Sequence, residues 1–222
     1  MKKYLFKETS ATFLVDAQKG FTPLCPDELP VPDGDLIGRE CNKTFEKTKF
    51  KVASKDAHSK NAWWITEDRK LIGNPIPLKN QQVDLYWPRH CEVGTYGFEL
   101  LSDLPPIEEF DFVVYKGLEN NIHVYSAVYQ LLKPNAKGSR ISTGVIEFFK
   151  ENGVDTIVVV GLATNYCCMS TAIDLIHAGF RVIINLDGCR GIGNTAPAIE
   201  NMKRVGVEFV NSADELEYVS AK

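Results

Sequence analysis

Apolar positions in this chain recur in short β-branched and aromatic runs separated by stretches with helical spacing. The runs fall at residues 12–16, 50–54, 112–116, 156–161, 181–185 and 208–210 and read as strands. Ile157-Val158-Val159-Val160 is apolar at every position rather than at alternate ones, the pattern of a central parallel strand covered on both faces. Between the runs, residues 36–47, 145–152, 167–178 and 196–204 have helical periodicity, and the last three stretches end before Gly153, Gly179 and Gly206. Alternating strands and helices predict right-handed βαβ crossovers and an α/β fold, a three-layer α/β/α sandwich around a central parallel sheet. Residues 57–105 break the rhythm. They hold all three tryptophans and Pro75, Pro77, Pro88 and Pro105 with few periodic runs, and are expected to form long loops of the kind that carry function.

Composition narrows this picture. A chain of 222 residues, 44% hydrophobic, can enclose one substantial core, and no change of composition divides it, so residues 1–222 are expected to form a single domain. The net charge of −4 and the scattered lysines and arginines offer no basic field for nucleic acid. No apolar run approaches the roughly 20 residues that span a bilayer, so no membrane partner is expected. The start, Met1-Lys2-Lys3-Tyr4-Leu5-Phe6-Lys7-Glu8, lacks the apolar centre of a signal peptide. Six irregularly spaced cysteines, Cys25, Cys41, Cys91, Cys167, Cys168 and Cys189, then read as reduced thiols of a cytoplasmic protein.

Ligands of open parallel sheets bind beyond the carboxyl ends of the strands, and polar residues end three of the predicted strands. Asp16 closes Thr12-Phe13-Leu14-Val15, Lys116 closes Phe112-Val113-Val114-Tyr115, and Cys167 opens a helix shortly after Val160-Gly161. Each alone is an ordinary turn or core residue. Together they are complementary: a helix N-terminus and a lysine both favour a thiolate, and a carboxylate can take the thiol proton and return it to a leaving amine. Asp56-Ala57-His58 ends another strand, where alternate side chains point the same way and can reach one ion, and His90 lies in Trp87-Pro88-Arg89-His90-Cys91. Two imidazoles and a carboxylate suit zinc, and also manganese or iron. His123 and His177 have no partners at ligand spacing and read as surface or packing residues.

Three blocks carry a family likeness: Phe13-Leu14-Val15-Asp16-Ala17-Gln18-Lys19-Gly20-Phe21, the segment from Val114-Tyr115-Lys116-Gly117 to Tyr125-Ser126-Ala127, and Gly161-Leu162-Ala163-Thr164-Asn165-Tyr166-Cys167. In order and content they resemble the isochorismatase-like hydrolases, in their nicotinamidase and pyrazinamidase branch. The resemblance implies a catalytic triad of Asp16, Lys116 and Cys167, a cis peptide at Leu162-Ala163, and an oxyanion hole from the Ala163 and Cys167 amides. It also implies one divalent metal ion held by Asp56, His58 and His90, with Glu67 as a candidate further ligand. The expected activity is hydrolysis of nicotinamide to nicotinate and ammonia through a cysteine thioester, with Phe21, Trp87 and Tyr125 walling a small amide substrate. Homo-oligomers are common among similar proteins and are expected here.

Two departures stand out: Ala57 where the family often has an aromatic residue, and Ser59-Lys60-Asn61-Ala62-Trp63-Trp64 in place of a small-apolar continuation. Two rival functions remain at this stage. One is hydrolysis of a different small amide by the same fold; the other is a non-catalytic binding protein. Isochorismatases themselves need neither the cysteine nor the metal.

Overall fold

The computed structural model describes residues 2–77 and 82–219; Met1, residues 78–81 and residues 220–222 of the expected 1–222 domain lie outside the described residues. The elements run β1 (Lys3–Phe6), β2 (Ser10–Val15), α1 (Gly38–Glu46), β3 (Phe50–Asp56), β4 (Phe112–Lys116), α2 (Val145–Glu151), β5 (Thr156–Leu162), α3 (Met169–His177), β6 (Arg181–Arg190), α4 (Ala196–Arg204), β7 (Glu208–Val210) and β8 (Leu216–Val219). Six strands form a parallel sheet in the order β4-β3-β2-β5-β6-β7, and β1 pairs in parallel with β8 beside it.

Both faces of the sheet are covered, which is why its central strands are apolar throughout. On one face Phe13, Val15, Ile157, Val159, Val182 and Ile184 pack against Val145 and Phe149 of α2, Ala172 and Leu175 of α3, and Met202 of α4. On the other face Leu14, Ala53 and Val160 meet Cys41 and Phe45 of α1 together with Leu101, Leu104 and Phe110 from the loops. The helices spend their apolar positions accordingly: α1 buries Gly38, Cys41, Thr44 and Phe45, a stripe one face wide at helical spacing. Three helices therefore back one face, while one helix and long loops cover the other. The cluster of Phe149 with Phe13 and Phe180, edge to face at centroid distances of 6.0 and 5.6 Å, anchors the helical side.

The strand order reverses between β2 and β5, because the chain builds outward from β2 first toward β4 and then toward β7. The crevice beyond the carboxyl ends at this reversal is where ligands of such sheets bind. Gly161 is required at the crossing point: its φ is +127°, and a Cβ there would lie 1.9 Å from the Val15 carbonyl oxygen.

Three details depart from the expectation. The β1 and β8 pair was not foreseen. Strand β6 runs on to Arg190, with a register shift against β5 between Val159 and Gly161. Cys167 lies within a turn of π-helix, Thr164–Cys168, that precedes α3, rather than at the start of an α-helix.

Candidate functional site

Register assembles the site. In the β3–β4 ladder Asp56 pairs with Lys116, and in the β2–β3 and β2–β5 ladders Val15 pairs with both Ser54 and Gly161. Asp16, Asp56 and Lys116 thus leave their strands side by side, with Cys167 brought above them by the turn after β5. Asp16 holds left-handed backbone, φ 47°, a conformation that costs a residue with a Cβ roughly 1 kcal/mol or more and concentrates at functional sites.

The wholly buried Lys116 ammonium lies 2.9 Å from Asp16 Oδ2 and donates to Asp56 Oδ1, to the Val124 carbonyl at 3.1 Å and toward Cys167 Sγ at 3.6 Å. Carboxylate oxygens of Asp16 and Asp56 and the Cys167 sulfur all lie within 4.8 Å of one another. The ammonium is the cation of this group. Ser54 Oγ donates to Asp16 Oδ1 at 2.7 Å and fixes the carboxyl. The peptide Leu162–Ala163 is cis, at the place the resemblance implied.

Burial sets the protonation states against the helix-end expectation. It pushes the Cys167 thiol well above its ordinary value; Lys116 pulls the other way without prevailing, and Asp16 and Asp56 reinforce the rise. The resting sulfur is a protonated thiol, not a pre-formed thiolate. Asp16 is raised as well, by burial first and by Asp56, with Lys116 opposing. For Asp56 burial also pushes upward, but the Lys116 charge leads the opposing contacts that outweigh it and hold the carboxyl below the usual range. Burial lowers Lys116, yet Asp16 and Asp56 together raise it well above the ordinary lysine value, so it stays charged.

Next to this group lies a nest of imidazoles. His58, His90 and His123 are all buried and each offers a nitrogen within 4.8 Å of the others. His90 Nδ1 is 2.7 Å from the Pro88 carbonyl and His58 Nδ1 is 3.3 Å from the Gly117 carbonyl. Carbonyls only accept, so both Nδ1 atoms carry the proton and both Nε2 atoms present lone pairs. Gly117 is again a position where only glycine fits: φ is +78° and a Cβ would meet the His58 ring at 2.8 Å. His58 Nε2 sits 3.3 Å from Asp56 Oδ2, is buried, and has no hydrogen-bond partner. Two acceptors facing one another in a buried pocket are costly unless a cation lies between them, and an outer N–H held by a carbonyl is the usual arrangement of a metal-binding histidine. These residues fit a divalent metal ion.

The cleft above both groups is lined by Phe21, Trp87, Tyr125, Tyr166, Leu29 and Ile192 together with Cys167 and Ala163. Phe21 packs on His90 at 5.1 Å between centroids, and Trp87 Nε1 donates to the Tyr125 hydroxyl at 3.1 Å, which in turn donates to Asp84 at 2.9 Å.

A family model for the isochorismatase domain matches residues 10–214. The chain belongs to the isochorismatase family. Among its relatives is the nicotinamidase of Acinetobacter baylyi, 32% identical over 215 residues, covering 93% of this chain and 94% of that protein. The solved nicotinamidase and pyrazinamidase of Acinetobacter baumanii superposes with a TM-score of 0.80 at 31% identity, covering 93% of this chain and 98% of the other. The pyrazinamidase of Pyrococcus horikoshii in complex with zinc does so with a TM-score of 0.69 at 29% identity, covering 91% and 98%.

Of the residues expected from sequence, this isochorismatase-family fold brings Cys167, Ala163, Asp56, His90, Phe21, Trp87 and Tyr125 to the lining of one cleft, with Asp16, Lys116 and His58 in contact beside them. Glu67 is not among them. It is exposed and lines a separate outer groove with Arg69 and Arg89, away from the clustered nitrogens. His123 corrects the expectation in the opposite sense: it is 3% exposed and belongs to the imidazole nest. Its distance along the chain from His58 and His90 left no spacing signal. Gln18 was also passed over as a positioning residue. Its side chain accepts from the Asp56 amide at 2.7 Å and donates to the Asp56 carbonyl at 2.8 Å, pinning the end of β3 to the loop after β2.

Proposed function

We propose that this chain is a metal-dependent nicotinamidase that hydrolyses nicotinamide to nicotinate and ammonia through a thioester on Cys167. The observation that carries the reading is the meeting of a buried thiol, ammonium and carboxyl group at the base of a narrow, aromatic-walled cleft, beside a buried set of imidazoles and a carboxylate. The likeness to nicotinamidases over more than nine-tenths of the chain supports it.

Asp16 takes the thiol proton as Cys167 Sγ bonds to the carboxamide carbon, and the carbonyl π pair moves to oxygen. Burial raises the proton affinity of Asp16 above that of an ordinary carboxylate, which makes its ionised form a stronger base toward the thiol. The Ala163 and Cys167 amides stabilise the oxyanion. As the pair returns, the C–N bond breaks and Asp16 delivers its proton to the leaving nitrogen, releasing ammonia. Water then gives a proton to Asp16 and adds to the thioester carbon; the C–S bond breaks and Asp16 returns the proton to sulfur. Throughout, Lys116 keeps the two carboxyl groups and the sulfur at fixed distances.

Asp56, His58 and His90 would hold a divalent ion, with zinc as our assignment for a set of nitrogen and carboxylate donors. A bound ion would supply Lewis acidity toward a heteroaromatic substrate. Phe21, Trp87 and Tyr125 flank the flat ring and fix its plane, and such orientation can supply a large part of the rate. Ammonia release from nicotinamide tests the reading: the metal-replete protein should turn over and Cys167→Ala should fold and be inactive. Absence of turnover with zinc, manganese or iron supplied would overturn it.

A further inference from the structure

His123 has no place in the function just described, yet it is buried with a polar atom that has no partner. Its ring is 3% exposed, and Nδ1 is buried without a hydrogen-bond partner. The nearest carboxylate oxygen, Asp84 Oδ1, is 4.0 Å away, beyond hydrogen-bond reach, and already accepts from the Tyr125 hydroxyl and the Leu85 amide. A histidine that served only for packing would leave this donor or acceptor unsatisfied, at a cost of about 1 to 3 kcal/mol. The segment carrying His123 is also tied to the site at both ends. The Gly117 carbonyl receives His58 Nδ1–H, and the Val124 carbonyl receives Lys116 Nζ–H. The His123 backbone amide donates to the Gln82 carbonyl at 2.7 Å, which fixes the side chain's point of departure. From there the ring reaches the nest, 5.5 Å from the His58 ring and tilted against Trp64 at 4.4 Å between centroids, with a nitrogen within 4.8 Å of ring nitrogens of His58 and His90.

We propose that His123 is a further ligand of the metal ion, so that the site offers three imidazoles and the Asp56 carboxylate. This rests on the metal site assigned above. A third neutral imidazole makes the donor set richer in nitrogen, which strengthens retention of zinc, cobalt and nickel relative to manganese or magnesium, ions that suit oxygen donors. It also leaves fewer positions for water on the ion, and so narrows the space in which a heteroaromatic nitrogen can approach it.

The test uses the whole protein, stripped of metal and reloaded with one equivalent of zinc or of cobalt(II). X-ray absorption of the unaltered zinc form should count three imidazoles; a count of two would overturn the proposal without any substitution. In His123→Ala and His123→Asn, checked for folding by circular dichroism, zinc affinity measured against a chromophoric chelator should fall at least 10-fold, the lower end of what disturbing even an outer partner of a ligand costs. The visible spectrum of the cobalt form should change in position and intensity. Unchanged affinity and an unchanged cobalt spectrum in a folded variant would refute ligation by His123. Failure of the unaltered protein to bind any of these ions would instead sink the underlying metal site, an outcome told apart by His90→Ala, which must weaken binding if the site exists at all.

Discussion

Replacing Lys116 by methionine removes the only ammonium among two buried carboxyl groups and a thiol while keeping most of the side-chain volume. At 2.9 Å and an effective dielectric constant of about 20, the attraction between Lys116 and Asp16 alone is about 6 kcal/mol, and Asp56 adds a second contact. Desolvation of three ions offsets most of this in the intact protein, so the group as a whole contributes little net stability. Removing only the cation leaves that offset uncovered. The expected loss is about 3 to 5 kcal/mol at neutral pH, measured by urea unfolding of the metal-free protein so that no ion takes over the compensation. The double variant Lys116→Met with Asp16→Asn should regain about half or more of the loss, since one buried charge leaves with the other. Both variants should be inactive. A loss below about 1 kcal/mol in the single variant, or no recovery in the double, would refute the view that charge balance holds this site together.

Three further outcomes follow from the same structure. Phe149→Ala, which empties the edge-to-face cluster with Phe13 and Phe180, should cost about 3 to 5 kcal/mol in unfolding free energy and leave KM unchanged; a loss under about 1 kcal/mol would mean the helical side does not depend on this ring. Gln18→Ala, which strips partners from the Asp56 amide and carbonyl, should destabilise by about 2 to 3 kcal/mol and weaken metal retention, read as faster zinc loss to a chelator. Glu208 is held at about 2 by Arg181 first and Lys3 second, below its ordinary 4.5. A depressed carboxyl stabilises the fold above pH 4.5 and loses that contribution as pH falls toward 2, so Glu208→Gln should lower stability by about 1 kcal/mol at pH 7, after allowance for solvent screening, and flatten the acid loss. An identical acid slope in the variant would contradict the pairing.

Much of this architecture was legible because the strands of the parallel sheet are apolar on both faces and the helices carry one clean stripe each. The β1 and β8 pair was not, since Tyr4, Phe6 and Tyr218 remain exposed and each strand buries a single residue, Leu5 or Leu216, too few to make a pattern. The continuation of β6 over residues 186–190 was not legible either, because Asp187 and Gly188 interrupt the apolar run. In the site, Asp16, Asp56 and Lys116 could be found because strand ends announce themselves by a change from apolar to polar. The protonation state of Cys167 could not: a helix end and a nearby lysine predict a thiolate, and only the degree of burial reverses the sign. His123 was hidden for a related reason, because nothing short of the folded chain reports that a loop leaving Gly117 returns at Val124 to the same ammonium.

The lopsided cover of the sheet bears on how such a protein can change over generations. The brace of three helices belongs to one face of the sheet, while part of the mouth of the cleft, Phe21, Leu29 and Ile192 among it, comes from loop segments tied to the other. Insertions and exchanges in those stretches can therefore re-cut the entrance for a new amide while the scaffold's heat tolerance stays where it was, so that selectivity and durability are free to drift apart.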